Sequence, residues 1–118
     1  MTREEFVSAV KRKACDAAVH ATMQMLAQPP GRRPDQNALE LASWYNALNP
    51  QHKSNVQSVV QRAAASAIFG LLAILDGERT VEGIGEKGDF ELFYRKGSDR
   101  VFLNDPTQEM LHDTFCQL

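Results

Sequence analysis

One histidine and one cysteine near the end of the chain are spaced as in sites that bind a metal or do catalysis. His112 and Cys116 are four residues apart and share one face of a helix, with Asp113 beside them. Thiolate and imidazole are common zinc ligands, but a tetrahedral site needs two more, and the chain has no C-x-x-C pair. The remaining candidate ligands are distant in sequence: Cys15, His20 and His52. We therefore expect no metal and no cofactor.

A second group of reactive residues lies in the first helical stretch. Asp16 and His20 are four residues apart, so they share a helix face and can form an ion pair. Cys15 lies one position before Asp16, about 100° around the helix, and is not directed at His20. A nucleophile needs a base within hydrogen-bond distance. We therefore assign no catalytic residue and predict that Cys15 is a buried thiol.

Neither a nucleotide nor a nucleic acid is an expected ligand. Gly83, Gly85 and Gly88 have the spacing of a phosphate-binding G-x-G-x-x-G loop, but the residues after them favour a strand where that loop needs a helix. Glycines placed in this way are typical of a hairpin turn. The basic clusters at 11–13 and 32–33 are short, whereas tight binding to nucleic acid takes about six to ten phosphate contacts.

A predicted β-hairpin carries the most informative surface in the sequence. With a turn at residues 96–99, Phe93 lies opposite Phe102 on the outer face. Arg95 then lies opposite Arg100 on the same face. The inner face is apolar and is predicted to cover the helices: Phe90, Leu92, Tyr94, Val101 and Leu103.

The outer face of this hairpin is the predicted binding patch. A preceding strand over residues 79–85, folded back about residues 86–89, would add Ile84 to it. Exposed aromatic side chains ringed by charges are typical of a contact surface. The predicted patch consists of Phe93, Phe102, Arg95, Arg100 and Ile84. Three alternatives remain for what covers this patch: a protein partner, another segment of this chain or a second copy of the chain.

Three helices are predicted to precede the strands. The first, over residues 3–27, opens with a capping box at Thr2 and Glu5. It ends in the exposed linker 28–34, which is rich in proline and glycine. Two more helices follow, a short one after Asp35 and a long central one that begins at Asn49-Pro50.

The second half of the chain is predicted to be a sheet followed by one helix. Three strands form an antiparallel meander over residues 79–85, 89–95 and 100–104, and a last helix is capped at Asp105-Pro106 and runs to about residue 117. The order α-α-α-β-β-β-α indicates an α+β fold. We expect a single domain, residues 1–118, in which residues 1–75 are helical and residues 76–118 hold the sheet and the last helix.

The central helix is predicted to be the core of the fold. One face is apolar along most of its length: Val56, Val59, Val60, Ala63, Ala67, Gly70, Leu71 and Ile74. From Ala63 onward the opposite face is apolar as well: Ala64, Ile68, Leu72 and Leu75. Because a helix that is apolar all round is normally surrounded by protein, we predict no room for a side chain at Gly70. The longest nearly apolar run, residues 63–75, is short of the about 20 residues that cross a bilayer.

Composition and charge limit the class of protein. The 118 residues are 43% hydrophobic and 24% charged, as in soluble globular domains, and a net charge of −2 gives no strong attraction to nucleic acid or to an anionic membrane. Residues 1–75 carry +3 and residues 76–118 carry −5. Two cysteines do not form a disulfide framework, and the N-terminus does not resemble a signal peptide, so we expect a cytoplasmic protein with reduced thiols.

Together these features predict a small cytosolic, non-enzymatic protein-binding module, of the accessory or toxin-neutralising immunity type. The alternative is a small hydrolase or metal-dependent enzyme that uses His112, Asp113 and Cys116. The expected partner is a protein or a second copy in a homodimer, with no membrane and no nucleic acid. Three short stretches, 74–77, 103–106 and 111–113, resemble small bacterial proteins, and this resemblance carries no functional residue to the chain.

Overall fold

The computed structural model describes all 118 residues, and its scaffold is one long helix with an irregular middle. Helix α1 (Arg3–Val10) continues into a π-helical segment (Lys11–Asp16) and then into α2 (Ala17–Ala27). The predicted capping box is confirmed at its start, where the hydroxyl of Thr2 accepts a hydrogen bond from the backbone N–H of Glu5 at 3.1 Å. The helix ends before the proline-rich linker, whose prolines cannot extend it.

The π-helical segment shifts the buried face of this long helix by one residue. A regular helical period continued from Val7 and Val10 would bury Ala14 and Ala18, but both are exposed, whereas Cys15 and Val19 are buried. Bonding from residue i to i+5 places more residues in each turn, so every side chain that follows is rotated about the helix axis. The sequence pattern assumes a regular period of 3.6 residues and therefore misses this rotation.

Side-chain caps set the start of the next two helices. Helix α3 (Gln36–Asn46) follows Asp35, whose carboxylate accepts the backbone N–H three residues on at 2.7 Å. Helix α4 (Pro50–Leu75) follows Asn49, whose side-chain oxygen accepts in the same way at 2.8 Å. Both predicted caps are confirmed. Helix α3 packs against α2, while α4 packs against the π-helical segment, α2 and α5 (Leu111–Cys116).

The sheet is smaller than the sequence predicts. Strands β1 (Phe93–Lys96) and β2 (Asp99–Phe102) form a two-stranded antiparallel hairpin, and residues 79–85 form no strand. In that region the Thr80 hydroxyl accepts the N–H of Glu82 at 3.1 Å, a local turn that competes with strand pairing. The α+β class is therefore confirmed with two strands, and the three-stranded meander is wrong.

The last helix begins later than predicted because Asp105 stabilises a turn instead of a helix. Its carboxylate accepts the backbone N–H of Thr107 at 2.9 Å and the Thr107 hydroxyl at 2.7 Å. These hydrogen bonds hold the pKa of Asp105 below its usual range. The helix itself starts only at Leu111.

The core lies where the ends of the helices meet, and it is small. Five buried side chains form it, from α1, the π-helical segment, α4 and α5: Val7, Cys15, Leu72, Leu111 and Phe115. The radius of gyration is 18.5 Å, whereas a compact chain of this length has about 13.5 Å. The molecule is therefore elongated, with extents of 51 × 38 × 29 Å.

Helix α4 is covered on one face only, so the prediction that it is surrounded by protein is wrong for a single chain. Leu72 lies in the core, while Val59 and Leu71 on the other side are 67% and 52% exposed. Gly70 is covered by one flexible side chain, because a Cβ there would lie 2.8 Å from Nη1 of Arg79. A larger residue at position 70 would displace Arg79 and would not overpack the core.

By length and composition alone, α4 is also apolar enough to cross a membrane, with a mean hydropathy of 1.7 over 18 residues.

Asn104 joins the hairpin to the end of α4. Its amide nitrogen donates to the carbonyl of Leu75 at 2.6 Å and to that of Phe90 at 2.9 Å. Its oxygen accepts the N–H of Leu92 at 2.7 Å. Beside it, the backbone N–H of Leu103 donates to the carbonyl of Leu92 at 2.8 Å. The Leu75 carbonyl is one of those that the end of a helix leaves without a partner. One buried side chain thus satisfies three backbone groups from two regions of the chain.

Replacing this side chain should loosen the junction. We expect Asn104→Ala to lower the free energy of unfolding by about 3 kcal/mol, since three backbone groups lose a partner and buried unpaired groups cost about 1–3 kcal/mol each. The control is Asn46→Ala, which removes a single exposed bond to the Ala27 carbonyl and should cost at most about 1 kcal/mol. Equal losses for the two variants in urea unfolding would contradict this role of Asn104.

Candidate functional site

The hairpin has the register that the sequence predicts. Phe93 lies opposite Phe102, and Arg95 lies opposite Arg100. Gly97 occupies the turn with φ of +60°, in the left-handed region that favours glycine. Because the turn fixes the pairing, side chains of the outer face come together as expected.

The two phenylalanines form one stacked unit. Their ring centroids are 4.7 Å apart with an angle of 24° between the ring planes. The guanidinium carbon of Arg100 lies 3.8 Å from the centroid of the Phe93 ring, which is a close cation–π contact. Both rings are half-buried. The stack is a half-buried aromatic pair with one cation against it, and we call Phe93, Phe102, Arg95 and Arg100 the hairpin patch.

The charge on the hairpin patch is not neutralised within the chain. Neither Arg95 nor Arg100 forms an ion pair, although like charges directly across a strand pair repel each other. The hairpin contacts the helices much less than its two strands contact each other. A two-stranded hairpin in water is only marginally stable. The patch therefore lacks both a counter-charge and a supporting layer.

Ile84, the fifth residue of the predicted patch, does not belong to this unit. It lies in the irregular segment before the hairpin and is fully exposed. The prediction depended on a third strand, which does not form.

The inner face of the hairpin is covered only near its base. Leu103 is buried, and Leu92, Tyr94 and Val101 are half-buried, whereas Phe90 is 50% exposed. A cavity of about 220 Å³ separates this base from the end of α4, with Phe90 on its wall. The prediction that this whole face covers the helices is wrong for Phe90.

The histidine singled out by the sequence lies against a carboxylate that sequence reasoning missed as its partner. Asp76 is only 3% exposed in its side chain, and it accepts the N–H groups of Leu111 and His112 at 3.0 and 2.9 Å. Nδ1 of His112 donates to the same carboxylate at 2.7 Å. Asp76 therefore caps α5 from 35 residues away in the sequence. A negatively charged side chain is favourable at this position, because the N-terminus of a helix carries a partial positive charge.

The rest of the His112 environment is structural in character. Its ring lies edge-on to Phe69, with centroids 5.2 Å apart, and Nε2 is 3.5 Å from the Asp113 carboxylate. No hydrogen bond joins it to Cys116, which lines a separate groove of about 410 Å³ beside Lys11. The structure does not bring the imidazole and the thiol into the arrangement that nucleophilic catalysis requires.

The N-terminal group of reactive residues is also dispersed. Cys15 is 3% exposed and lies in the core, as predicted. Asp16 pairs with Lys11 across the π-helical segment and not with His20. This hydrogen bond raises the pKa of Lys11. No group of three or more His, Cys, Asp or Glu side chains is arranged to hold a metal ion, and the expectation of no bound metal stays a prediction.

Comparisons with family models, with curated proteins and with solved structures found no match. The function is therefore inferred from the geometry of the chain itself.

The Asp76–His112 pair should behave as a structural cap. We expect Asp76→Ala to cost about 3–5 kcal/mol, because a buried acceptor of three hydrogen bonds is removed. His112→Ala should cost less, about 1–2 kcal/mol, since it removes one of those bonds. Asp113→Ala is the matched control, because this carboxylate is 57% exposed and should be nearly neutral. Thermal and urea unfolding give the order, and a larger loss for His112→Ala than for Asp76→Ala would refute it.

The two faces of the hairpin should differ in what they stabilise. Leu92→Ala with Leu103→Ala should damage the fold, since buried Leu→Ala changes cost about 2–5 kcal/mol each. Phe93→Ala with Phe102→Ala should leave the helical core folded, because neither ring belongs to the buried core. Circular dichroism and urea midpoints compare the two double variants. Similar losses of stability in both would show that the outer face belongs to the core.

Proposed function

We propose that this chain is a non-enzymatic protein-binding module and that the hairpin patch is its binding surface. The observation that carries this proposal is the Phe93–Phe102 stack with Arg100 fixed 3.8 Å from a ring centroid. Rigid aromatic side chains and arginine are the residues most enriched at the energetic centres of protein interfaces. The stack is held together before any partner binds, which reduces the entropy lost on binding.

The charges indicate what kind of partner fits. Arg95 and Arg100 lie opposite each other without a carboxylate, so a partner that supplies acidic groups would remove their repulsion. The aromatic stack beside this pair needs an apolar surface. We therefore propose a protein partner with an apolar site edged by Asp or Glu side chains.

A cytosolic accessory or toxin-neutralising immunity role is compatible with these features. Both cysteines are free, and Cys116 is exposed, a combination suited to a reducing compartment. The alternative, an enzyme built on His112, Asp113 and Cys116, has the Asp76–His112 hydrogen bond in its favour, which orients the imidazole. The same carboxylate, however, is already used to cap α5.

Charge reversal on the hairpin tests the proposal. The double variant Arg95→Glu/Arg100→Glu should lose the partner that the wild-type chain captures from its own cells, and with the purified pair its Kd should rise at least about 100-fold, since like-charge contacts cost several kcal/mol. The matched control reverses two exposed arginines of the linker, Arg32→Glu/Arg33→Glu, which gives the same change in net charge.

Binding is measured by calorimetry with the identified partner. An unchanged Kd for the hairpin variant, or equal losses in both variants, would contradict the proposed surface. Loss of a measurable activity in His112→Ala with no effect of the hairpin variant would favour the enzyme.

A further inference from the structure

The uncovered face of α4 is apolar over about five turns. We call it the α4 stripe, in which Val59, Ala63, Ala67 and Leu71 are exposed and Val56, Val60 and Ile74 are half-buried. Val59 is 67% exposed and Leu71 is 52% exposed, and the two alanines between them are exposed as well. From its first to its last residue the stripe is about 27 Å long. Contiguous apolar surface of this extent is unusual on a monomeric protein and marks an interaction site.

The stripe carries no charge. Helix α4 has no acidic residue, and its two permanent cations, Lys53 and Arg62, lie on the flanks of the stripe. The ammonium group of Lys53 lies 5.6 Å from the centroid of the Tyr45 ring. A partner on this face therefore meets an apolar surface, with the guanidinium of Arg79 over Gly70 at its edge.

The total surface area of the chain is larger than that of a compact monomer of the same mass. The chain exposes 8557 Å², whereas a folded monomer of its mass exposes about 6400 Å². The excess is about 2100 Å². Each subunit of an obligate homodimer buries about 1000–2500 Å². This excess is spread over the elongated molecule, and it is large enough to include a dimer contact on the α4 stripe.

The order of residues along the stripe matches a second copy in particular. When two copies of a helix pack antiparallel about a two-fold axis, the residue numbers in each facing pair add to the same total. About position 65 of α4, Val59 faces Leu71 and Ala63 faces Ala67. Val56 faces Ile74 in the same register. Large residues then meet large ones at both ends, and alanines meet at the centre, where helices can approach to about 8 Å.

We propose that a second copy of this chain covers the α4 stripe, with the two α4 helices antiparallel across a two-fold axis and Ala63 and Ala67 at its centre. Such an interface is isologous, because the same patch is used by both subunits. It lies on α4 and is separate from the hairpin patch. The dimer and the proposed partner surface can therefore be tested independently.

Sedimentation equilibrium with one matched pair of variants tests this dimer. The wild-type chain should have twice the monomer mass of 13.2 kDa at micromolar concentrations. Ala67→Glu should raise the dimer dissociation constant at least about 100-fold, since two carboxylates meet near the axis. Ser58→Glu is the control, because Ser58 is exposed on the same helix but lies off the stripe, and it should leave the dimer intact.

Circular dichroism of Ala67→Glu checks that the variant is folded, which its exposed position favours. In a Cys116→Ser background, Ala67→Cys should allow a short bismaleimide to crosslink the two chains of the dimer. Ser58→Cys in the same background should not be crosslinked. A wild-type chain of 13.2 kDa would overturn the proposal, and its binding to phosphatidylcholine vesicles would then assign the stripe to a membrane. A dimer that survives Ala67→Glu without crosslinking would place the interface elsewhere and overturn the proposal as well.

Discussion

Helix α4 is apolar on one face along most of its length and on the opposite face from Ala63 onward, and the shape of the molecule follows from how little of this apolar surface the chain covers. The ends of the long helix and α5 meet one face and form a core around Leu72. Helix α3 lies against α2 and leaves the opposite face of α4 uncovered. The result is an elongated protein with a small core and with apolar surface of α4 left exposed.

Two buried polar side chains at the end of α4 hold the second half of the chain in place. Asp76 caps α5, and Asn104 connects the last carbonyl of α4 to the base of the hairpin. Buried polar groups of this kind specify geometry when all their hydrogen bonds are made, and the same groups would be costly if left unpaired. They anchor the base of the hairpin, where the Phe93–Phe102 stack lies, while the strands beyond this stack extend to the turn at Gly97.

What the sequence predicts correctly here is local. Caps at Thr2, Asp35 and Asn49 involve neighbours three residues away, and the hairpin register depends on a turn and an alternating pattern. The failures come from interactions the pattern does not contain. The π-helical segment rotates the buried face of the first helix, side chains near Thr80 replace a third strand, and the partner of His112 lies 36 residues away. Of the candidate site, four of five residues come together, and Ile84 depended on the missing strand.

If the uncovered face of α4 is completed by a second copy, folding and assembly are coupled, and stability must depend on protein concentration. The most direct measurement is the urea midpoint of unfolding over a 100-fold range of concentration. We expect the midpoint to rise with concentration, corresponding to about 2.7 kcal/mol per dimer. A midpoint that is the same at every concentration would show that the single chain is stable with this face exposed, and would contradict the coupling of folding to assembly.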